Sequence, residues 1–425
     1  MRNVQLLTKA FFSKAGEPEE AITLPHTWNA LDGQDGGNDY YRGVCTYRIP
    51  LPDPTKGKKQ YVEFRGANHV ATVWCNGRLL GTHEGGFSTF RFDLTEDMKP
   101  QENVLTVAVS NAVSHVYPQK ADFTFFGGIY RKVFFVEAEE AHFDLLKRGT
   151  DALFVTPSVS GLTRLDAFPV NAEGCEIRFV LSDAEGNSLV EKTVPAEAHS
   201  FVNLTLSEPH LWNGMEDPYQ YRATATLLRD GAALDEVSTL YGYRSYHADP
   251  QKGFFLNGKQ LPLRGVCRHQ DRENMGWAIS EKEHEEDLDL ICEVGANTIR
   301  LAHYQHDRYF YDLCDRKGLV LWAEIPYISQ HMAGKAAYEN TLSQMRELIA
   351  QNYNHPSILF WGIGNEITIG GECEEQYRNL RDLNALCKTM DPSRPTTMAQ
   401  LSRQVNRQYT QQKQKSRYEP SITKQ

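Results

Sequence analysis

The segment Asn354-His355-Pro356-Ser357-Ile358-Leu359-Phe360-Trp361-Gly362-Ile363-Gly364-Asn365-Glu366 decides how this chain is read. Ile358 to Ile363 is an apolar, strand-forming run that delivers an Asn-Glu pair at its C-terminal end. Alternating β/α barrels keep their chemistry at that end of their strands. A glutamate there, beside an amide able to hydrogen-bond a substrate hydroxyl, suits acid/base chemistry on a sugar. The plain alternative is a pair that only caps the next helix.

Outward from this segment the pattern alternates. Leu261–Val266, Thr298–Leu301, Leu319–Glu324 and Ile358–Ile363 read as strands. Glu281–Val294, Arg308–Lys317, Tyr338–Tyr353 and Glu374–Met390 read as helices between and after them, and Pro395–Leu401 begins a fifth strand. Four strand–helix units in a row mean a parallel sheet and favour a barrel. Asn257-Gly258 closes a hairpin just before the first unit.

Upstream the chain reads as all-β. Residues 1–137 hold short alternating runs such as Lys59–Phe64, Ala71–Cys75 and Val104–Val109, with a hairpin turn at Asn76-Gly77. Aromatic and glycine clusters at Gly85–Phe92 and Phe123–Tyr130 give its loops stacking surface. Residues 138–246 show a second β pattern of immunoglobulin-like length, expected to act as a spacer. The expected fold is thus multidomain: an all-β jelly-roll or sandwich, an immunoglobulin-like β-sandwich, and an incomplete (β/α)8 TIM barrel over 247–401. Residues 402–425 are rich in Gln, Lys and Arg, lack any strand or helix period, and read as a disordered, aberrant tail. Four units cannot close an eight-unit barrel, so the chain is expected to be truncated or out of frame after about residue 401.

Composition bounds the rest. A hydrophobic content of 40% fits substantial cores, and a net charge of −10 argues against nucleic acid or an anionic membrane as partner. No run is long and apolar enough for a transmembrane span, and the first twenty residues lack a signal-peptide pattern, so a cytoplasmic location is expected. The eight cysteines are scattered without metal-ligand spacing and read as buried, reduced thiols.

Several motifs, in order, resemble glycoside hydrolase family 2, particularly its β-galactosidases. They are Leu24-Pro25-His26-Thr27-Trp28-Asn29, Gly85-Gly86-Phe87, Phe92-Asp93-Leu94, Gly128-Ile129-Tyr130-Arg131, Arg264-Gly265-Val266-Cys267-Arg268-His269, Asn297-Thr298-Ile299-Arg300-Leu301-Ala302-His303-Tyr304 and Asn365-Glu366. The resemblance implies a retaining glycosidase acting on terminal β-D-galactosides, with Glu366 as general acid and then base. Trp361 and Phe360 are expected among its apolar surroundings. The resemblance further implies that Asn365 binds the sugar 2-hydroxyl, that His303 and His269 surround the galactosyl hydroxyls, and that Asp122 reaches the sugar from a first-domain loop. Arg300 matches the arginine that keeps the family's nucleophile ionised. A homo-oligomer of the full-length form is consistent with the family.

Departures from the pattern matter. Cys267 and Gln270 stand where the family's barrel-opening motif carries Asn and Glu. Tyr327-Ile328-Ser329-Gln330-His331 replaces the I-E-T-H-G of magnesium-dependent members, and Ile328 offers no oxygen ligand, so no metal and no cofactor are expected. The family's nucleophile lies on a later barrel strand. Glu419 does not match its motif, so the chain alone is expected to show little or no turnover. A β-glucuronidase or β-mannosidase of the same family, and a sugar-binding fragment without catalysis, are the alternatives.

Overall fold

The computed structural model describes residues 1–32 and 40–400. The tail expected at 402–425 lies outside the described residues.

The first β domain is a sandwich of two antiparallel sheets. One has six strands, ordered Glu20–Thr23, Lys9–Lys14, Val44–Pro50, Val104–Ser110, Val70–Cys75 and Arg78–Glu84; the other has four, ordered Asn3–Leu7, Val133–Ala138, Lys59–Phe64 and Phe90–Asp93. Alternation dictates it. In Val70–Cys75 and Val104–Ser110 every second side chain is buried, so Val73, Cys75, Leu105, Val107 and Val109 fill the space between the sheets. Asn76 and Gly77 take φ of 49° and 88°, the left-handed pair of a tight hairpin turn, and pair Cys75 with Arg78.

A second sandwich follows, with three strands (Leu153–Pro157, Leu162–Ala167, Ser200–Thr205) facing four (Ser188–Pro195, Glu176–Ser182, Tyr221–Arg229, Ala232–Tyr241). It does more than space its neighbours. The Asn354 side chain, on the barrel, bonds the backbone of Val155 and Leu153, and Trp212 donates its indole N–H to the Asp315 carbonyl at 3.0 Å.

The barrel portion contributes five parallel strands: Gly265–Arg268, Thr298–Leu301, Val320–Glu324, Ile358–Asn365 and Thr396–Ala399. Helices Glu281–Glu293, Arg308–Lys317, Lys335–Asn352 and Glu374–Met390 connect them. The first strand starts four residues later than the sequence pattern suggests, because Pro262 has no N–H for the ladder and Arg264 N–H is taken by the Asn297 side chain. Among the described residues no helix is long and apolar enough to cross a membrane.

The fourth strand is fixed by a buried charge pair below it. Arg394 is 3% exposed; its guanidinium reaches Asp391 at 2.6 Å and the carbonyls of Ile358, Tyr353 and His355. Trp361 completes the group by donating to Asp391 at 2.9 Å. Burial alone raises the Asp391 carboxyl, but the Arg394 charge and hydrogen bonds from Ser393, Arg394 and Trp361 prevail and bring it down to about 2. A carboxyl held below its unfolded value adds stability above that value and loses it as pH falls towards the folded one. Stability lost between pH 3.8 and about 2 is therefore expected to be larger in the native protein than in Asp391→Asn, as measured by denaturation midpoints across that window.

Candidate active site

The parallel strands end at a cavity of about 550 Å³, and all six residues singled out from the sequence line it. Asp122 comes from the first sandwich, His269, Arg300 and His303 from or just beyond the first two barrel strands, and Asn365 and Glu366 from the end of the fourth. Lys120, Cys267, Gln330, Ile328 and Ile369 also contribute to the wall.

Backbone geometry places Glu366. The fourth strand pairs with the fifth in register at Trp361–Thr396 and Gly362–Thr397, then shifts before Asn365. Such an irregularity re-aims the side chains beyond it. Asn365 is held on both sides, its N–H on the Tyr327 carbonyl at 2.8 Å and its carbonyl accepting from Ser329 N–H at 2.9 Å. Glu366 N–H donates to the Ala399 carbonyl at 3.0 Å, with Glu366 at φ 49°. A left-handed glutamate costs about 1–3 kcal/mol and persists only where its surroundings impose it. Gly362 is required four residues earlier, since a Cβ there would lie 2.3 Å from Glu324 Cβ and 2.4 Å from the Trp322 indole nitrogen.

Beneath the cavity floor sits a residue that sequence reading missed. Glu324, at the end of the third strand, is fully buried. Arg300 donates to both its oxygens, at 3.1 and 3.0 Å, and to Asn365 Oδ1 at 2.6 Å. His303 Nδ1 is 2.6 Å from Glu324 Oε1. The same Nδ1 lies 3.1 Å from the donor-only Arg300 guanidinium, but the shorter contact is to the carboxylate, which only accepts, so Nδ1 carries a proton towards Glu324 and the opposite ring edge is left for the cavity. Arg300 thus orients Asn365 and neutralises Glu324. Its position at a strand end, in Trp322-Ala323-Glu324-Ile325-Pro326, was the available signal.

His269 is oriented differently. Its Nδ1 lies 3.0 Å from the Tyr304 hydroxyl, whose oxygen is approached by Gln270 N–H at 3.4 Å. The Tyr304 proton therefore points at Nδ1 and leaves Nε2–H as a donor for the cavity. Burial first, then the neighbouring His303, lowers the His269 pKa below 6.5, which keeps the ring neutral at pH 7.

Two expectations need correction. Trp361 and Phe360 do not surround Glu366: Trp361 is buried in the barrel core with its indole on Asp391, and Phe360 packs on Phe254 away from the cavity. Ile328 and Ile369 give the apolar wall instead. Nor are all cysteines buried, since Cys267 and Cys373 are exposed, and Cys267 stands in the cavity wall. Gln270, at the other departure from the family pattern, is buried and accepts from Arg131 at 3.0 Å. It ties the first sandwich to the barrel.

Asp312, Asp315 and His355 bring potential metal-ligand atoms within 4.8 Å of one another. Asp315 is already engaged, accepting from His355 Nδ1 at 2.5 Å and from Ser357 N–H at 3.0 Å, and Arg308 and Arg316 line the same hollow. That arrangement is a pin between the second helix and the fourth strand, and its cationic rim opposes a bound cation.

Comparison with known proteins agrees with this architecture. Three domain models match in order: "Glycosyl hydrolases family 2, sugar binding domain" over residues 38–138, "Glycosyl hydrolases family 2" over 168–244, and "Glycosyl hydrolases family 2, TIM barrel domain" over 250–421. The chain belongs to glycosyl hydrolase family 2. A β-glucuronidase of Bacteroides fragilis is 39% identical to this family 2 chain over 401 residues, covering 89% of the chain and 57% of that relative. A β-galactosidase of Thermoanaerobacter pseudethanolicus is 28% identical over 396 residues, covering 89% and 51%. The crystal structure of an FMN-binding β-glucuronidase from Facaelibacterium prausnitzii superposes with a TM-score of 0.92 at 42% identity, covering 95% of the chain and 64% of that protein. The chain spans about half the length of the curated relatives it matches.

The Arg300–Glu324 pair yields a direct test. Glu324→Ala leaves a buried guanidinium without its carboxylate, and a loss of about 3–5 kcal/mol is expected in chemical denaturation. A variant as stable as the parent would show that Arg300 finds compensation elsewhere.

Proposed function

We propose that this chain supplies the acid/base half of a retaining β-glycosidase site, and that its substrates are terminal β-D-glucuronides. The observation that carries the catalytic part is Glu366: a half-buried carboxyl at the C-terminal end of a barrel strand, in strained backbone, beside an Asn365 whose Oδ1 is fixed by Arg300. Fixing Oδ1 turns the Asn365 amide N–H₂ into the group free to meet a sugar hydroxyl. His269 offers an N–H donor to the same space, and Asp122 an acceptor. Such a set grips hydroxyls from several directions while Glu366 protonates the departing glycosidic oxygen and later activates water.

Retention takes two carboxylates about 5–5.5 Å apart. Glu324 does not serve as the second, because it is sealed beneath the floor, neutralised by Arg300 and hydrogen-bonded by His303. On this reading the nucleophile comes from outside the described residues, and the isolated chain turns over slowly or not at all. The sequence placed β-D-galactosides first. The relatives move glucuronides ahead of them, since the one at 39% identity is named for glucuronides and the one at 28% for galactosides.

The full gene product is expected to show a higher kcat/KM for 4-nitrophenyl β-D-glucuronide than for the β-D-galactoside. Glu366→Gln is expected to lower kcat by about 10²–10⁴-fold with little change in fold. The reverse substrate order would remove the glucuronide assignment and leave the glycosidase one. Unchanged turnover in Glu366→Gln would remove the acid/base role of Glu366.

A further inference from the structure

We infer that Lys120, on the loop that the first sandwich sends over the cavity, is a specificity residue that recognises a carboxylate on the bound glycoside. The charges within the cavity single it out. Its charged lining is Lys120, Arg300, Asp122 and Glu366, with His269 and His303. Arg300 is 7% exposed and its charge is met by Glu324. Lys120 is exposed, and among the described residues it has no carboxylate in ion-pair contact. It is therefore the cation in this lining that a ligand anion can reach.

An exposed lysine is usually just a solvated side chain. Here the backbone that carries it is clamped on both sides. Tyr117, three residues before, is 1% exposed inside the barrel core, edge-on to Tyr327. Its N–H donates to Asn340 Oδ1 at 3.0 Å, its carbonyl accepts from Gln344, and its hydroxyl accepts from Met332 N–H at 2.7 Å. Gln119 is buried and folds back on the Val116 carbonyl at 2.8 Å. Three residues after Lys120, Phe123 packs on His269 with ring centroids 4.9 Å apart. Only Lys120, Ala121 and Asp122 lie between these anchors, and all three line the cavity. Holding the stem lowers the entropy that a free loop would lose on binding an anion.

The carboxylate has two possible sources, the sugar itself or the aglycone. The sugar source rests on the glucuronide reading above; the aglycone source does not. Three hydrolysis-resistant probes separate them: phenyl 1-thio-β-D-glucuronide, phenyl 1-thio-β-D-glucoside and 4-carboxyphenyl 1-thio-β-D-glucoside. Dissociation constants for the 425-residue chain, Lys120→Gln and Lys120→Arg are measured by titration calorimetry at low ionic strength.

Lys120→Gln is expected to weaken one of the two carboxylate-bearing probes by about fivefold, leave the neutral glucoside unchanged, and be rescued by Lys120→Arg. Loss on the glucuronide assigns the sugar carboxylate, and loss on the carboxyphenyl probe assigns the aglycone. A native chain that binds the glucuronide no better than the glucoside, yet depends on Lys120 for the carboxyphenyl probe, overturns the glucuronide reading and upholds this one. Equal weakening of all three probes, weakening of none, or a native chain that binds none overturns the role of Lys120.

Discussion

A guanidinium and a carboxylate buried together below the strand ends set the order of everything above them. Removing Arg300 and Glu324 from water is costly, and only their mutual contact, with Asn365 and His303 occupying the remaining positions, offsets that cost. The result is directional. Arg300 can be satisfied only if the second, third and fourth strands hold their register, because its partners Glu324 and Asn365 sit at the ends of the third and fourth strands. The amide of Asn365 and the ring of His303 inherit their orientation from this pair. The cavity floor thus gains its rigidity from beneath rather than from a ligand.

The first sandwich is tied to the same floor by different means. Arg131 reaches from it into the barrel to bond Gln270 and the Gln305 carbonyl, and Phe87, Tyr130, Trp277 and Tyr304 form an aromatic cluster across the junction. Phe87 and Tyr304 lie nearly parallel with centroids 4.5 Å apart, and Tyr304 also orients His269. One tyrosine therefore belongs at once to the domain interface and to the site. Displacing the sandwich would disturb a histidine of the cavity as well as remove Lys120 and Asp122 from the wall.

Much of this was legible in the sequence, and the reason differs by element. The two Asn-Gly hairpins could be read because left-handed backbone at two successive residues has few chemical solutions. The fourth strand could be read because it is apolar, short and followed by polar residues of a kind that a core does not retain. Glu324 was not legible as part of the site: a carboxylate at a strand end looks the same whether it faces the cavity or the buried arginine beneath it. Its partners, Arg300 and His303, lie more than twenty residues upstream, and only the parallel register brings them together. The surroundings of Glu366 were misread for a related reason. Phe360 and Trp361 are its near neighbours in sequence, but strand alternation sends them to other layers, while Ile369 follows just past the strand and Ile328 arrives from a separate segment.

Glu324 and Glu366 show how environment separates two identical side chains. Glu324 sits in regular strand, wholly buried, with each oxygen engaged by Arg300 or His303, so it has no access to a ligand. Glu366 lies just past the next strand, beyond a register shift, in left-handed backbone, and half-buried in the cavity wall. The strain at Glu366 makes sense only because the structure on either side of it is over-determined: Asn365 is bonded to Tyr327 and Ser329, and Glu366 N–H to Ala399. A regular strand would have carried residue 366 onward in the sheet, turned by the ordinary alternation. The irregularity before Asn365 instead delivers the amide and the carboxyl, consecutive in sequence, to the same cavity. On the proposed reading, that juxtaposition of a fixed hydrogen-bonding amide and a carboxyl is the one acid/base chemistry on a sugar would use.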